Sequence, residues 1–181
     1  MELGLDKQGS GEPPRVLVIE SNRNYLGVLA RRLAESGYRI AAAESAQAGF
    51  SELYRIPADI VVCSARLPGT SGIEFVRMIR HDPVHSQLPV LLIVGRSDPV
   101  TAVKAFAAGA DGIIRKPCHF EVLAAGIGRF LERAAAVQRL VDDNAALDAR
   151  VVSRAIELRE LRERLSIAER RLAASVEGKA A

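Results

Sequence analysis

The residues of this sequence that could do chemistry stand where short apolar runs end. Glu20 and Ser21 follow the first run, Ser64 closes the third and Lys116 follows the fifth. A serine hydroxyl becomes a competent nucleophile only beside a base, and Glu20 could in principle be that base. Lys116 would then be the group that balances a developing negative charge. These residue types therefore pose a choice between a nucleophilic site and a small polar cluster without catalysis.

Five apolar runs alternate with amphipathic segments along most of the chain. The runs are continuous, without alternation of polar and apolar residues, which is typical of strands covered on both faces of a parallel sheet. The predicted strands are 15–19, 38–43, 59–64, 89–94 and 112–115, and the predicted helices between them are 24–36, 45–54, 73–81 and 100–108. This alternation predicts a doubly wound α/β domain, whose ligands bind beyond the carboxyl ends of the strands.

Other candidate sites have simpler explanations. His81, His85 and His119 are spread over a loop and a helix start without clustered Cys or acidic residues, so no metal site is predicted there. Gly69 and Gly72 lie in the stretch LPGTSG, which lacks the phosphate-binding pattern and is more simply a turn that leads into a helix.

Composition excludes several classes of function. Residues 1–129 carry 15 basic and 13 acidic side chains, and residues 130–181 carry 10 basic and 9 acidic side chains. Neither part therefore has the strong excess of positive charge typical of proteins that bind nucleic acid or anionic membranes. No apolar run is long enough to span a bilayer, and the N-terminus lacks the features of a secretory signal. Cys63 and Cys118 are not arranged as a disulfide framework. We therefore expect a cytoplasmic protein that binds neither nucleic acid nor membrane.

Four motifs give the chain a resemblance to a known family. In order they are RVLVIES, DIVVCSARLPGTSG, LPVLLIVGR and AAGADGIIRKPC. Together they resemble the receiver domain of bacterial two-component response regulators over residues 15 to about 130. The resemblance implies a flavodoxin-like sheet with strand order 2-1-3-4-5. It also implies the family's phosphorylation site, in which an acidic pair and an aspartate hold Mg²⁺, the aspartate accepts the phosphoryl group, and a hydroxyl residue and a lysine complete the pocket.

Carried onto this sequence, the family's site is degenerate. The acidic pair becomes Glu20 and Ser21, the phosphoacceptor position becomes Ser64, the switch hydroxyl becomes Val94, and only Lys116 stands as expected. The aromatic switch position of the fifth strand corresponds to Ile113. The resemblance also implies a cis peptide bond at Lys116-Pro117. A receiver without acceptor, metal ligands or switch hydroxyl is best interpreted as a pseudo-receiver with no catalytic residues.

The loss of carboxylates has two physical consequences. Mg²⁺ prefers several oxygen ligands including carboxylates, so its binding is expected to be weak or absent, and no other cofactor is expected. The Lys116 ammonium needs a negative partner once the acceptor aspartate is gone, because a partly buried unpaired charge is costly. We therefore predict an ion pair between Glu20 and Lys116, direct or through Ser64 or water, with the Ser64 hydroxyl bonded to Lys116 or to nearby backbone.

The last part of the sequence, the arm (residues 131–176), carries a seven-residue apolar repeat. Such a repeat, held over more than five heptads, predicts a left-handed coiled coil. The positions that face a partner helix are here called the seam: Val137, Leu140, Asn144, Leu147, Val151, Leu158, Leu161, Leu165 and Leu172. Asn144 and the Val and Leu pattern favour a parallel homodimer. Arg154 within the repeat, and Asp143 facing Asp148 across a parallel dimer, are local costs.

The resulting division of the chain is a disordered leader (1–14), a receiver-like domain (15–130), the arm as a dimerisation helix (131–176) and a disordered tail (177–181). We expect a phosphorylation-independent adaptor, which contacts a histidine kinase or an output protein through its fourth helix, fifth strand and fifth helix. Two alternatives stay open. The protein is a phosphorylatable response regulator, or it is the regulatory part of an enzyme that makes or degrades cyclic di-GMP, which the arm's resemblance to signalling helices suggests.

Overall fold

The computed structural model of the protein describes residues 12–96 and 98–177, with all their side chains except those of 168 and 171–177. Strands and helices alternate along the chain. Their bounds are β1 Arg15–Ile19, α1 Arg23–Glu35, β2 Arg39–Ala43, α2 Ala46–Arg55, β3 Ile60–Ser64, α3 Gly72–His81, β4 Val90–Val94, α4 Pro99–Ala107, β5 Gly112–Arg115 and α5 Phe120–Glu177. Each predicted element of the domain is present, with ends within two residues of the prediction.

The five strands form one parallel sheet in the order β2-β1-β3-β4-β5. This confirms the predicted doubly wound fold and its strand order. The central strands β1, β3 and β4 are almost wholly buried, as their continuous apolar sequences require. The carboxyl ends of these strands therefore meet at one edge of the sheet, where Glu20, Ser64, Val94 and Lys116 are placed.

Two apolar cores cover the two faces of the sheet. One contains residues of α2, α3 and α4 packed on side chains such as Leu17 and Val61, and the other contains α1 and the start of α5 packed on Val16 and Val62. Because successive strand residues point to opposite faces, each strand contributes to both cores. This packing fixes the strands and hence the edge that carries the polar residues.

The chain divides into two compact units, Met1–Ala134 and Ala135–Ala181. The long C-terminal helix α5 starts in the first unit and makes up the described part of the second, which confirms the predicted helix. At the start of the chain, Glu12 and Pro13 accept hydrogen bonds from the Arg39 side chain, and the Pro14 carbonyl accepts one from the Arg39 N–H. Residues 1–11 and 178–181 of the predicted leader and tail lie outside the described residues.

Candidate functional site

The candidate site lies at the carboxyl edge of the sheet, where the backbone holds its residues in register. The Glu20 N–H donates to the Ala43 carbonyl at 3.0 Å, and the Lys116 N–H donates to the Val94 carbonyl at 2.8 Å. These bonds extend the ladders of β1 and β5 by one residue each. Glu20 and Lys116 are therefore aligned by the sheet itself, although 96 residues separate them.

Glu20 and Lys116 form a direct ion pair, with 2.7 Å between Lys116 Nζ and Glu20 Oε2. The Glu20 side chain is 4% exposed and that of Lys116 is 36% exposed. The other Glu20 oxygen, Oε1, accepts the Asn22 N–H at 3.0 Å. Charge-assisted bonds to both oxygens offset the cost of burying the carboxylate. The predicted ion pair is confirmed, and it is direct.

Tyr25 covers this pair and was not anticipated from the sequence. The Lys116 ammonium lies 4.1 Å from the centroid of the Tyr25 ring, a cation–π arrangement. The Tyr25 hydroxyl and the Cys118 thiol are hydrogen-bonded at 3.2 Å. Burial, followed by this bond to Cys118, raises the pKa of Tyr25. The first turn of α1 is thereby tied to the residues just after β5.

The peptide bond that follows Lys116 is cis, as the family resemblance implied. Cys118 follows this proline and faces the Tyr25 hydroxyl. Cys63, one residue before Ser64, is fully buried, and burial raises the pKa of its thiol. A buried thiol with a raised pKa is an inert apolar side chain rather than a nucleophile.

Ser64 is 4% exposed and sits at the last position of β3. Within the described residues, its hydroxyl makes no hydrogen bond to Glu20, to Lys116 or to nearby backbone, so the predicted bond is not found. Glu20, the one candidate base, has both oxygens engaged by Lys116 and Asn22. The arrangement therefore leaves Ser64 without the activating base that a serine nucleophile needs.

Gly72 fixes the backbone around Ser64. A Cβ atom at this position would lie 2.2 Å from the Ser64 carbonyl oxygen and 2.9 Å from Ala65 Cα. The Gly72 N–H also donates to the Ala65 carbonyl at 3.1 Å. The start of α3 thus approaches the end of β3 so closely that only glycine fits. The stretch LPGTSG predicts only a turn that leads into a helix, whereas the need for glycine at position 72 comes from this tertiary contact.

Ser21 and Val94 complete the positions that the family resemblance singled out. Ser21 is exposed to solvent. Val94 is 2% exposed and packs in the core formed with α2, α3 and α4, and Ile113 packs against the same core. Apolar side chains at both positions cannot hydrogen-bond to a phosphoryl group. They therefore offer no contact that would be stronger in a phosphorylated conformation than in an unphosphorylated one, which a conformational switch requires.

The residues present do not fit a Mg²⁺ site of the family's kind. Of the positions that correspond to the family's metal ligands, only Glu20 carries a carboxylate, and Lys116 already occupies it. In the described parts of the chain, no group of three or more His, Cys, Asp or Glu side chains is arranged to hold a metal ion. His81 bonds to the Arg77 carbonyl and His85 lies 3.5 Å from Asp82, each within its own local structure.

Comparison with known proteins agrees with this fold. The family model for the response regulator receiver domain matches residues 16–128. The chain is 33% identical over 141 residues to the transcriptional regulatory protein AfsQ1 of Streptomyces coelicolor, covering 78% of this chain and 60% of that one. It is 27% identical over 143 residues to a probable cyclic di-GMP phosphodiesterase of Vibrio cholerae, covering 79% of this chain and 32% of that one.

A solved structure shares the fold. A putative response regulator from Chloroflexus aurantiacus superposes with a TM-score of 0.65 at 24% identity, over 67% of this chain and 99% of that one. Because the family model covers more than half of its length, the chain belongs to the response regulator receiver family. The matched region spans 60% of the length of AfsQ1 and 32% of the length of the phosphodiesterase.

In the second unit, the seam is exposed along its described length. Each apolar seam residue from Val137 to Leu165 is more than half exposed, and Asn144 is exposed too. The Leu172 side chain lies outside the described ones. The ion pairs found among the described side chains of the arm are local and one turn apart, such as Arg154 with Glu157 and Arg159 with Glu163. Across the described residues, no helix is long and apolar enough to cross a membrane.

Proposed function

We propose that the protein is a phosphorylation-independent adaptor of two-component signalling, a pseudo-receiver that acts by docking to other proteins. The observation that carries this proposal is the direct Glu20–Lys116 ion pair. It occupies both charged groups that the degenerate pocket retains. A phosphoryl group that entered the pocket would have to separate the pair and expose Glu20 without a partner.

The acceptor chemistry supports the same conclusion. An aspartate is ionised at neutral pH and can attack a phosphoryl donor directly, whereas the Ser64 hydroxyl would need a base. Glu20 is engaged elsewhere, and Val94 and Ile113 replace the two parts of the switch. Information then passes by contact with a partner and not by a change of the pocket.

The docking surface we propose is formed by α4, β5 and the first turns of α5. On α4, Val100, Val103 and Phe106 are 61%, 69% and 57% exposed at a spacing of three residues, and Val122 on α5 is 69% exposed. Apolar side chains at this spacing line one side of a helix. A histidine kinase or an output protein with a complementary apolar surface is the expected partner, because exposed apolar clusters mark interaction sites.

The adaptor is proposed to be a parallel homodimer through the seam. A single arm leaves a row of Val and Leu side chains in water, and pairing two arms would bury them. Asn144 would meet its own copy in a parallel pair, which fixes the register. Between partners, Glu157 would face Arg162 and Arg164 would face Glu169.

Intact-mass spectrometry after incubation with acetyl phosphate and Mg²⁺ tests the adaptor proposal. We expect no mass gain from the native protein. The matched control is the variant Ser21→Asp/Ser64→Asp, which restores two of the missing carboxylates and is expected to gain one phosphoryl group. A stoichiometric, Mg²⁺-dependent gain on the native protein would instead establish a phosphorylatable regulator.

A second candidate function is a regulatory segment of a cyclic di-GMP enzyme. The 143-residue similarity to the probable cyclic di-GMP phosphodiesterase of Vibrio cholerae supports it together with the arm's resemblance to signalling helices, although the 141-residue similarity to AfsQ1 is almost as long. The similarity thus includes part of the arm. Sequencing the reading frame beyond Ala181 tests it: a continuing frame that encodes an enzymatic domain supports this candidate.

A further inference from the structure

The arm carries a second apolar stripe that the seam does not include. It consists of Val141, Ala145, Val152 and Ile156. At 100° per residue these four positions fall within about 60° of one another, roughly 120° around the helix from the seam. Val141, Val152 and Ile156 are 55%, 59% and 56% exposed. Pairing through the seam would leave Ala145, Val152 and Ile156 uncovered, while Val141 borders the seam.

The second stripe is symmetric about its own midpoint. Val141 and Ile156 stand equally far from the point between Asp148 and Ala149, and so do Ala145 and Val152. An interface between two copies related by a twofold axis needs a surface that matches itself when reversed. Two antiparallel second stripes would set Val141 against Ile156 and Ala145 against Val152, a larger residue against a smaller one at each inner position.

Charge favours the same antiparallel arrangement. Residues 138–148 carry one basic and three acidic side chains, net −2, while residues 149–159 carry three basic and one acidic, net +2. The parallel dimer of the proposed function places two −2 segments side by side and two +2 segments side by side. A second dimer in antiparallel orientation covers each of these with the opposite charge, within the reach of electrostatics at ordinary ionic strength.

We propose that dimers of this chain associate further through antiparallel contacts between second stripes. The occupant of each second stripe is the second stripe of another copy, and the inference rests on the proposed parallel dimer. Each dimer presents two second stripes, so association need not stop at two dimers. Asp148 lies next to the twofold axis and meets its own copy there, which is a local cost that limits the strength of the contact.

Sedimentation velocity of the full chain, from low micromolar to several hundred micromolar protein, tests the inference. We expect a dimer at low concentration and a weight-average mass that rises well above the dimer at high concentration, less so in high salt. The variant Val152→Gln/Ile156→Gln should stay a dimer throughout. The control Val84→Gln, which removes a 72% exposed valine from the first unit, should associate like the native protein.

A second variant keeps the test independent of folding defects. Asp148→Ala removes the like charges at the twofold axis and should strengthen association between dimers several-fold. A native protein that stays dimeric at every concentration overturns the inference while leaving the proposed dimer intact. Equal association of Val152→Gln/Ile156→Gln and the native protein also overturns it, and a monomeric native protein refutes the dimer and this inference together.

Discussion

The polar edge of the sheet and the arm differ in whether their side chains have partners within the chain. At the edge, Glu20 and Lys116 bond to each other and Tyr25 covers them, so the groups that could bind a ligand are satisfied within the chain. In the arm, the seam side chains from Val137 to Leu165 are mostly exposed and their apolar surface has no partner within the described residues. The comparison teaches that charged groups at the edge satisfy each other within the chain, whereas the arm leaves apolar surface exposed to solvent, which is why the proposed contacts are placed on helices.

The largest effect is expected from the seam. The variant Leu147→Gln/Leu161→Gln removes two leucines whose burial in the proposed dimer would contribute about 1.5–3 kcal/mol each per chain. We expect light scattering to report the mass of a monomer and circular dichroism to report lower helicity. The control Ile167→Gln changes a 51% exposed residue outside the seam and should remain dimeric. A dimeric seam variant would show that the arm does not pair as proposed.

At the closed edge, Gly72→Ala should be the most damaging single change. Its Cβ would lie 2.2 Å from the Ser64 carbonyl oxygen, so β3 and α3 must move apart. Overpacking of this kind costs about 1–3 kcal/mol, measurable as a lower urea midpoint. The matched control is Gly27→Ala in α1, where an added Cβ meets nothing within 4 Å and helix propensity predicts a gain of about 1 kcal/mol. Equal effects of the two variants would contradict the packing argument.

Breaking the ion pair from one side should cost less. Lys116→Met leaves the buried Glu20 carboxylate without its cationic partner, which we expect to lower the free energy of unfolding by about 1 kcal/mol, because Lys116 is partly exposed and solvent screens the pair. Adding Glu20→Gln to this variant should recover part of the loss, because no unpaired charge remains. Additive losses in the double-mutant cycle would mean that the two side chains do not interact.

The smallest effect concerns acid stability at the other end of the sheet. The Tyr54 hydroxyl, which donates to Asp82, is the main cause that holds the pKa of the Asp82 carboxyl below its usual range. A lowered carboxyl pKa adds stability above the unfolded pKa, and this is lost as the pH falls through the folded pKa. In Tyr54→Phe, the free energy of unfolding should therefore fall less steeply as the pH drops below about 4. Unchanged slopes in pH-dependent urea melts would contradict this role.

Much of the fold could be predicted from the sequence, and the reasons are local. Continuous apolar runs such as 59–64 and 89–94 identify buried parallel strands without knowledge of their neighbours. The Glu20–Lys116 pair could also be predicted, because a lysine at the sheet edge needs a negative partner and few acids were available there. The seven-residue repeat indicated the long helix of the arm, while its pairing stays a prediction.

Other features of the site depend on contacts that no local pattern encodes. Tyr25 reaches Lys116 and Cys118 only because α1 packs beside the end of β5, over 90 residues away in sequence. The need for glycine at position 72 arises from the approach of α3 to the Ser64 carbonyl, which no turn motif reveals. The hydrogen bond expected of the Ser64 hydroxyl is not found either, because Glu20 accepts its two hydrogen bonds directly from Lys116 Nζ and from the Asn22 N–H.

A crystal structure of the protein grown with Mg²⁺ and beryllofluoride tests the central claim most directly. Beryllofluoride imitates a phosphoryl group, so it binds only where acceptor, metal and lysine can converge. The closed pocket predicts that neither ion occupies the edge and that Lys116 Nζ stays about 2.7 Å from Glu20 Oε2. Density for both ions beside Ser64, with Lys116 turned away from Glu20, would contradict it.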